Sequence, residues 1–140
     1  MALDNAFFAT WQPRALGLLR IVTGYLFLLH GSAKLLGMPH VAMFDKLQLM
    51  SLVGVAGMLE LVGGALILVG FLTRPVAFLL SGEMAVAYFM AHASKGNPLL
   101  PMLNQGELAV LYCFVFLYFS AAGAGAWSVD AMRKGGAARA

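Results

Sequence analysis

Apolar residues fill four long runs of this chain, at roughly residues 13–36, 51–72, 75–93 and 106–122. Each approaches the length, about 20 residues, that an α-helix needs to cross the hydrocarbon core of a bilayer. The pattern predicts an all-α fold, a transmembrane four-helix bundle forming a single domain over residues 1–140. The turn Leu72-Thr73-Arg74-Pro75 is expected to end one helix and open the next, because proline biases its predecessor away from helix and is accepted in a first turn. It makes the second and third spans an antiparallel hairpin.

The connecting segments are patterned too. Met38, Val41, Phe44, Leu47 and Met50 recur every third residue, which predicts a short interfacial helix over 37–50. The loop from Ser94 to Gln105 carries two prolines among apolar residues. It is expected either to fold back as a lid on the bundle mouth or to rest on the headgroups. Phe7, Phe8 and Trp11 lie just before the first span, where aromatic rings favour the headgroup region. The tail after Asp130, with Gly135 and Gly136, is expected to be mobile.

Composition agrees with the pattern. With 61% hydrophobic and 11% charged residues and a mean hydropathy of +0.85, the chain lies outside the soluble globular range. It reads as a multi-pass protein whose constant partner is the lipid bilayer. No basic stretch followed by a short apolar segment and a small-residue cleavage site precedes the first span, so a removable signal peptide is not expected. Arg14, Arg74, Arg133, Lys134 and Arg139 flank one side of the predicted spans and Lys46 and Lys95 the other. Cations concentrate on the cytoplasmic side, which places both termini in the cytoplasm. The net charge of +3 reflects this asymmetry, and no clustered basic surface of the kind nucleic acid needs is present. Cys113 is the only cysteine, so neither an internal disulfide nor a C-x-x-C redox pair can form. A homo-oligomer is compatible with the sequence.

Seven ionisable residues interrupt the apolar runs: Arg20, His30, Lys34, Glu60, Glu83, His92 and Glu107. A charge at the centre of a bilayer costs about 2.5 kcal/mol or more, so such residues face a bundle interior, pair and mark functional sites. Gly17, Arg20, Gly24, Phe27, Gly31 and Lys34 share one face of the first span, with His30 beside it. Gly57, Glu60, Gly64 and Ile67 share a face of the second. Small residues between the charges let neighbouring helices approach. In the third span Glu83 and His92 project to opposite faces, while Tyr88 and His92 share one.

Depth sorts the seven. Arg20 and Glu83 fall in the cytoplasmic half and are expected to form a structural ion pair. His30, Lys34, His92 and Glu107, with Glu60 between the tiers, form the candidate ligand site. With both histidines neutral, two cations face three carboxylates, so one glutamate must be protonated or one histidine charged. Catalytic residues as such are not identifiable. No metal is expected, because Lys34 one turn from His30 would repel a cation and no H-E-x-x-H spacing occurs.

Four stretches resemble the DoxX family of small four-helix membrane proteins. They are Gly24-Tyr25-Leu26-Phe27-Leu28-Leu29-His30-Gly31-Ser32-Ala33-Lys34-Leu35; Glu60-Leu61-Val62-Gly63-Gly64 running to Gly70-Phe71-Leu72-Thr73-Arg74; Gly82-Glu83-Met84-Ala85-Val86-Ala87-Tyr88; and Gly106-Glu107-Leu108 running to Gly123-Ala124-Gly125-Ala126-Trp127-Ser128-Val129-Asp130. The resemblance implies a bacterial inner-membrane protein, with relatives that include the small membrane subunit of a thiosulfate:quinone oxidoreductase. Others of the family are linked to complexes that handle oxidative and thiol stress.

The leading expectation is therefore a membrane subunit of a redox system that accommodates a quinone or quinol, with His30, Lys34, Glu60, His92 and Glu107 as candidates to hydrogen-bond its oxygens. A quinone needs an apolar slot and donors at its carbonyls, and its electrons would come from a redox partner protein. The alternative is a non-enzymatic scaffold or assembly factor whose polar interior fixes helix register. A small transporter is a third reading, weakened by the absence of broken-helix repeats.

Overall fold

A computed structural model describes residues 3–137 and is helical throughout its regular structure. The α-helices are α1 (Leu3–Leu35), α2 (Leu52–Val69), α3 (Thr73–Ala87), α4 (Glu107–Ala122) and α5 (Val129–Ala137). Three helical segments, Asn5–Leu35, Leu52–Val69 and Thr73–Lys95, are long and apolar enough to cross a membrane. The fourth apolar helix, α4, has 16 residues and rises only about 24 Å.

Helix α1 begins ten residues before the predicted first span and runs for 33 residues, about 50 Å at 1.5 Å per residue. That exceeds a hydrocarbon core of about 30 Å, so its first turns project beyond the other helices. Phe7, Phe8 and Trp11 belong to this projecting helix. Arg14 lies over the Trp11 ring at 5.3 Å.

Glycines bring α1 and α2 together. A Cβ on Gly24 would meet the Leu68 backbone nitrogen at 2.5 Å, and one on Gly31 would meet that of Leu61 closer still. The helices run antiparallel with Gly31 against Glu60 and Leu61, and Gly57 against Lys34. Helix α3 packs on α4, where the Ser81 hydroxyl donates to the Cys113 carbonyl at 2.8 Å. Phe27 of α1 closes the core against Phe116 and Tyr112 of α4, with ring centroids 4.8 and 5.2 Å apart. Ile67, Leu80 and Phe119 complete a fully buried apolar centre.

Helix ends follow local chemistry. The Ser51 hydroxyl caps α2 by accepting from Gly54 N at 3.1 Å. Gly70 ends α2 at φ +70°, the left-handed conformation that favours glycine. Helix α3 starts at Thr73, two residues before Pro75, which sits in its first turn. The predicted stop is therefore a short link, because the residue before a proline is biased away from helix without being barred from it.

Two other segments depart from expectation. Residues 37–50 hold only a 3-10 turn over Ala42–Phe44. Their every-third spacing suits a three-per-turn helix, which rarely runs long. The segment after Asp130 is helical as far as Ala137, because Asp130 and Ser128 dock it. The Asp130 amide donates to Gly70 O at 2.9 Å and Ser128 Oγ accepts from Ala131 N at 3.1 Å.

Candidate functional site

The charges within the apolar segments separate into two groups. At one end, Arg20 is fully buried and its guanidinium donates to carbonyls alone. Its Nε reaches Ala124 O at 2.8 Å, Nη1 reaches Ile67 O at 2.8 Å and also Leu68 O, and Nη2 reaches Trp127 O at 2.8 Å and Ala126 O at 3.3 Å. The expected Arg20–Glu83 ion pair is not formed. The last carbonyls of α2 carry the negative end of the helix dipole, with Ile67 O shared between Arg20 and the Gly70 amide, and a planar five-donor fork satisfies several acceptors at once. The segment 123–130 supplies the rest. Its Ala126 amide donates to Pro13 O at 2.8 Å, and the close approach of Gly125 to Gly17 lets it lie flat on α1.

The neighbouring junction uses Asp130 and Arg74. Asp130 accepts from Leu72 N at 3.0 Å and from Thr73 N at 2.9 Å, serving as an N-cap for α3 from a distant part of the chain. Desolvation pushes the Asp130 carboxyl up, but the Thr73 and Leu72 amides and the Arg133 charge outweigh it and hold the group below its ordinary value. Arg74 donates to the last carbonyls of α4, at Ser120, Ala121 and Ala122.

The second group joins Lys34, in the last turn of α1, to the middle of α2 and α3. Lys34 Nζ donates to both carboxylate oxygens of Glu60 at 2.5 Å, and the Glu60 side chain is almost wholly buried. Gly63 of α2 packs on Leu80 of α3, so one turn along each antiparallel helix Glu60 is level with Glu83. Ser81 against Cys113 brings Tyr112 of α4 to the same level. Neither carboxyl oxygen of Glu83 has a hydrogen-bond partner among the described residues, although both are buried.

Of the five ligand candidates, Lys34 and Glu60 are thus in direct contact. His30 is exposed on the edge of α1, its ring edge-on to Tyr112 at 6.1 Å. His92 lies in a π-helical turn, Tyr88–His92, with Nδ1 3.2 Å from Asn104 O. It helps fasten the 94–105 loop together with Tyr88, whose hydroxyl donates to Pro98 O at 2.8 Å. Glu107 is exposed in the first turn of α4. Glu83 and Tyr112 are the members of the cluster that sequence reasoning leaves out of the ligand set. Glu83 has a signal, a position near the middle of its span, whereas Tyr112 has none.

A cavity of about 420 Å³ opens beside the pair. Lys34 and Asp45 form its polar wall and Val41, Phe44, Leu47 and Leu49 its apolar side. Lys34 Nζ also lies 5.8 Å from the centroid of the Phe44 ring, so the 37–50 segment roofs the lysine.

The DoxX family model matches residues 15–93. The chain belongs to the DoxX family. Arg20, Lys34, Glu60 and Glu83 lie inside the matched DoxX region, whereas Glu107, Tyr112 and the 123–130 segment follow it. The chain is similar to a protein of Haemophilus influenzae described as uncharacterized, 47% identical over 127 residues, covering 86% of this chain and 91% of that protein. No solved structure matches.

Proposed function

We propose that this DoxX-family protein is a multi-pass protein of the bacterial inner membrane, a four-helix bundle with both termini in the cytoplasm, and that it serves a redox system by accommodating a quinone or quinol. The single observation that carries the reading is the cavity bounded by Lys34, with Glu60 directly behind the lysine. Its volume falls in the usual range of about 300–1,000 Å³ for small-molecule sites, which combine apolar walls with few polar groups, here Lys34 and Asp45. That suits a flat ring carrying oxygens. A quinone supplies the electron-accepting chemistry, and a partner protein supplies the electrons. Lys34 donates a hydrogen bond to a ligand oxygen. Glu60 would fix the ammonium in place, and Phe44 and Leu47 of the 37–50 segment would pack on the ring.

The orientation rests on Arg14, Arg74, Arg133 and Lys134 near the Arg20 end and Lys46 and Lys95 near the other, since cations concentrate on the cytoplasmic side. Arg139, the fifth cation of the first set, lies outside the described residues.

Mass spectrometry of lipid-soluble molecules retained by the purified protein tests the ligand. A quinone is expected at up to one per chain, and Lys34→Met is expected to lower it tenfold or more, since a hydrogen bond from a charged group contributes about 1.5–3 kcal/mol. Quinone content per folded protein that is unchanged in Lys34→Met, or no quinone in the parent, would overturn the assignment.

A second reading, a membrane scaffold, draws on the close glycine packing of α1 on α2. There the Lys34–Glu60 pair would fix register without chemistry. Retention of a partner protein by a variant with Lys34 and Glu60 both neutralised would favour it.

A further inference from the structure

We infer that the Lys34–Glu60–Glu83 cluster is a proton-binding site, with the proton carried by Glu83 while Lys34 is held by Glu60. The inference stands whether or not a quinone occupies the cavity.

Glu83 is the starting point. An ionised carboxylate has about four acceptor positions to fill, yet both oxygens of Glu83 are out of contact with solvent and neither accepts a hydrogen bond from the described residues. The groups that face it are few. The Gly63–Leu80 contact sets Glu60 of α2 level with it, Glu60 holds Lys34 of α1, and the Ser81–Cys113 contact brings Tyr112 of α4 to the same level, with His30 edge-on to that tyrosine. Lys34 is the cation of this layer, and its ammonium is already bonded to both oxygens of Glu60. Glu60 itself repels a second negative charge. Burying an uncompensated ion is far costlier than burying a neutral acid, and such groups neutralise instead.

The inferred site has a second arrangement. The flexible four-carbon stem of lysine lets its ammonium move between neighbouring acceptors. If Lys34 turns from Glu60 to Glu83, the O–H bond on Glu83 breaks and an O–H bond forms on Glu60. One proton moves, and the cluster keeps one ammonium, one carboxylate and one carboxylic acid. Lys34 also lines the 420 Å³ cavity, so the pair offers a route for a proton between that cavity and the middle of α3.

Infrared spectroscopy of the purified full chain at neutral pH, with no quinone added, tests this apart from the ligand proposal. The carbonyl stretch of a protonated carboxylic acid is resolved from that of carboxylates, and the chain has six Asp and Glu side chains in all. One protonated carboxyl per chain is expected. It should vanish in Glu83→Gln, a neutral isostere expected to fold. It should vanish in Glu60→Gln as well, because Lys34 then turns to Glu83 and ionises it. In Lys34→Met it should double. Carboxyl-labelled glutamate should shift the band in the unmodified protein, which assigns the proton to one of the three glutamates even where a variant fails to fold. Absence of the band, failure of the label to shift it, or its persistence in Glu83→Gln would overturn the proton site. Persistence in Glu60→Gln would overturn the sharing of the lysine.

Discussion

Arg20 and Lys34 stand on the same face of α1 and end in opposite surroundings. Arg20 meets only backbone carbonyls, from the end of α2 and from the 123–127 segment, and Asp130 beside it meets only backbone amides. Lys34 meets a carboxylate, and a second carboxyl lies alongside without a partner. The first arrangement uses charges to finish the ends of helices, where orphan amides and carbonyls need partners. It leaves nothing over for a ligand or a proton. The second puts two acids and one base into an apolar interior, and an imbalance of that kind is what titration or binding can use. Family membership alone would not separate the two, since the matched region contains both Arg20 and Lys34.

The most direct way to break this contrast is at Arg20. Replacing it by leucine leaves several buried carbonyls unmet, each costing about 1–3 kcal/mol, so thermal unfolding in detergent should show a loss above about 3 kcal/mol. Arg20→Lys should recover little of it, since a single ammonium cannot span acceptors on α2 and on the 123–127 segment together. A loss within about 1 kcal/mol of the parent for Arg20→Leu would mean that water reaches those carbonyls, and the arginine would then be free for another role.

How much of this is legible in the sequence follows from where partners come from. The apolar runs locate α2, α3 and α4 closely, and the three-and-four spacing picks the faces of α1 and α2 that pack, because hydrophobic periodicity records which side is buried. Lys34 and Glu60 both fall in the candidate site for the same reason. Arg20 is misassigned because opposite side-chain charges are matched by depth, whereas its true partners are main-chain carbonyls that the sequence does not mark. The Asp130 cap is illegible for a related reason. An N-cap is read from the residue just before a helix, and here it arrives from the far side of α4. His92 and Glu107 fail to join Lys34 because depth alone fixes neither azimuth nor helix start.

A smaller effect is expected at Asp130. Asp130→Ala should cost about 0.5–2 kcal/mol, the usual range for loss of a cap. Its pH dependence has a definite sign. The carboxyl is held below its ordinary value in the folded protein, so its contribution is fully present above the unfolded value of about 4 and is lost as the pH falls through the folded value. The stability gap between the parent and Asp130→Ala should thus be constant from neutral pH down to about pH 4 and close below it. A gap that widened on acidification would show that the aspartate is not a charged cap.

The smallest effect is expected at Glu107, and it bears on the other half of the comparison. Glu107 is exposed in the first turn of α4 beside an open groove of about 720 Å³ lined by Pro101, Leu108, Leu111 and Phe114. An acid in that position gains about 0.3–1 kcal/mol from the helix dipole, so Glu107→Gln should lower stability by less than about 1 kcal/mol. Retained quinone and the protonated-carboxyl band should both stay as in the parent, because neither Lys34 nor Glu83 loses a partner. Measured alongside Lys34→Met, this variant separates the groove on α4 from the cavity at Lys34. A fall in retained ligand in Glu107→Gln with none in Lys34→Met would move the binding site to the groove on α4 and leave the Lys34–Glu60 pair with the same structural duty as Arg20.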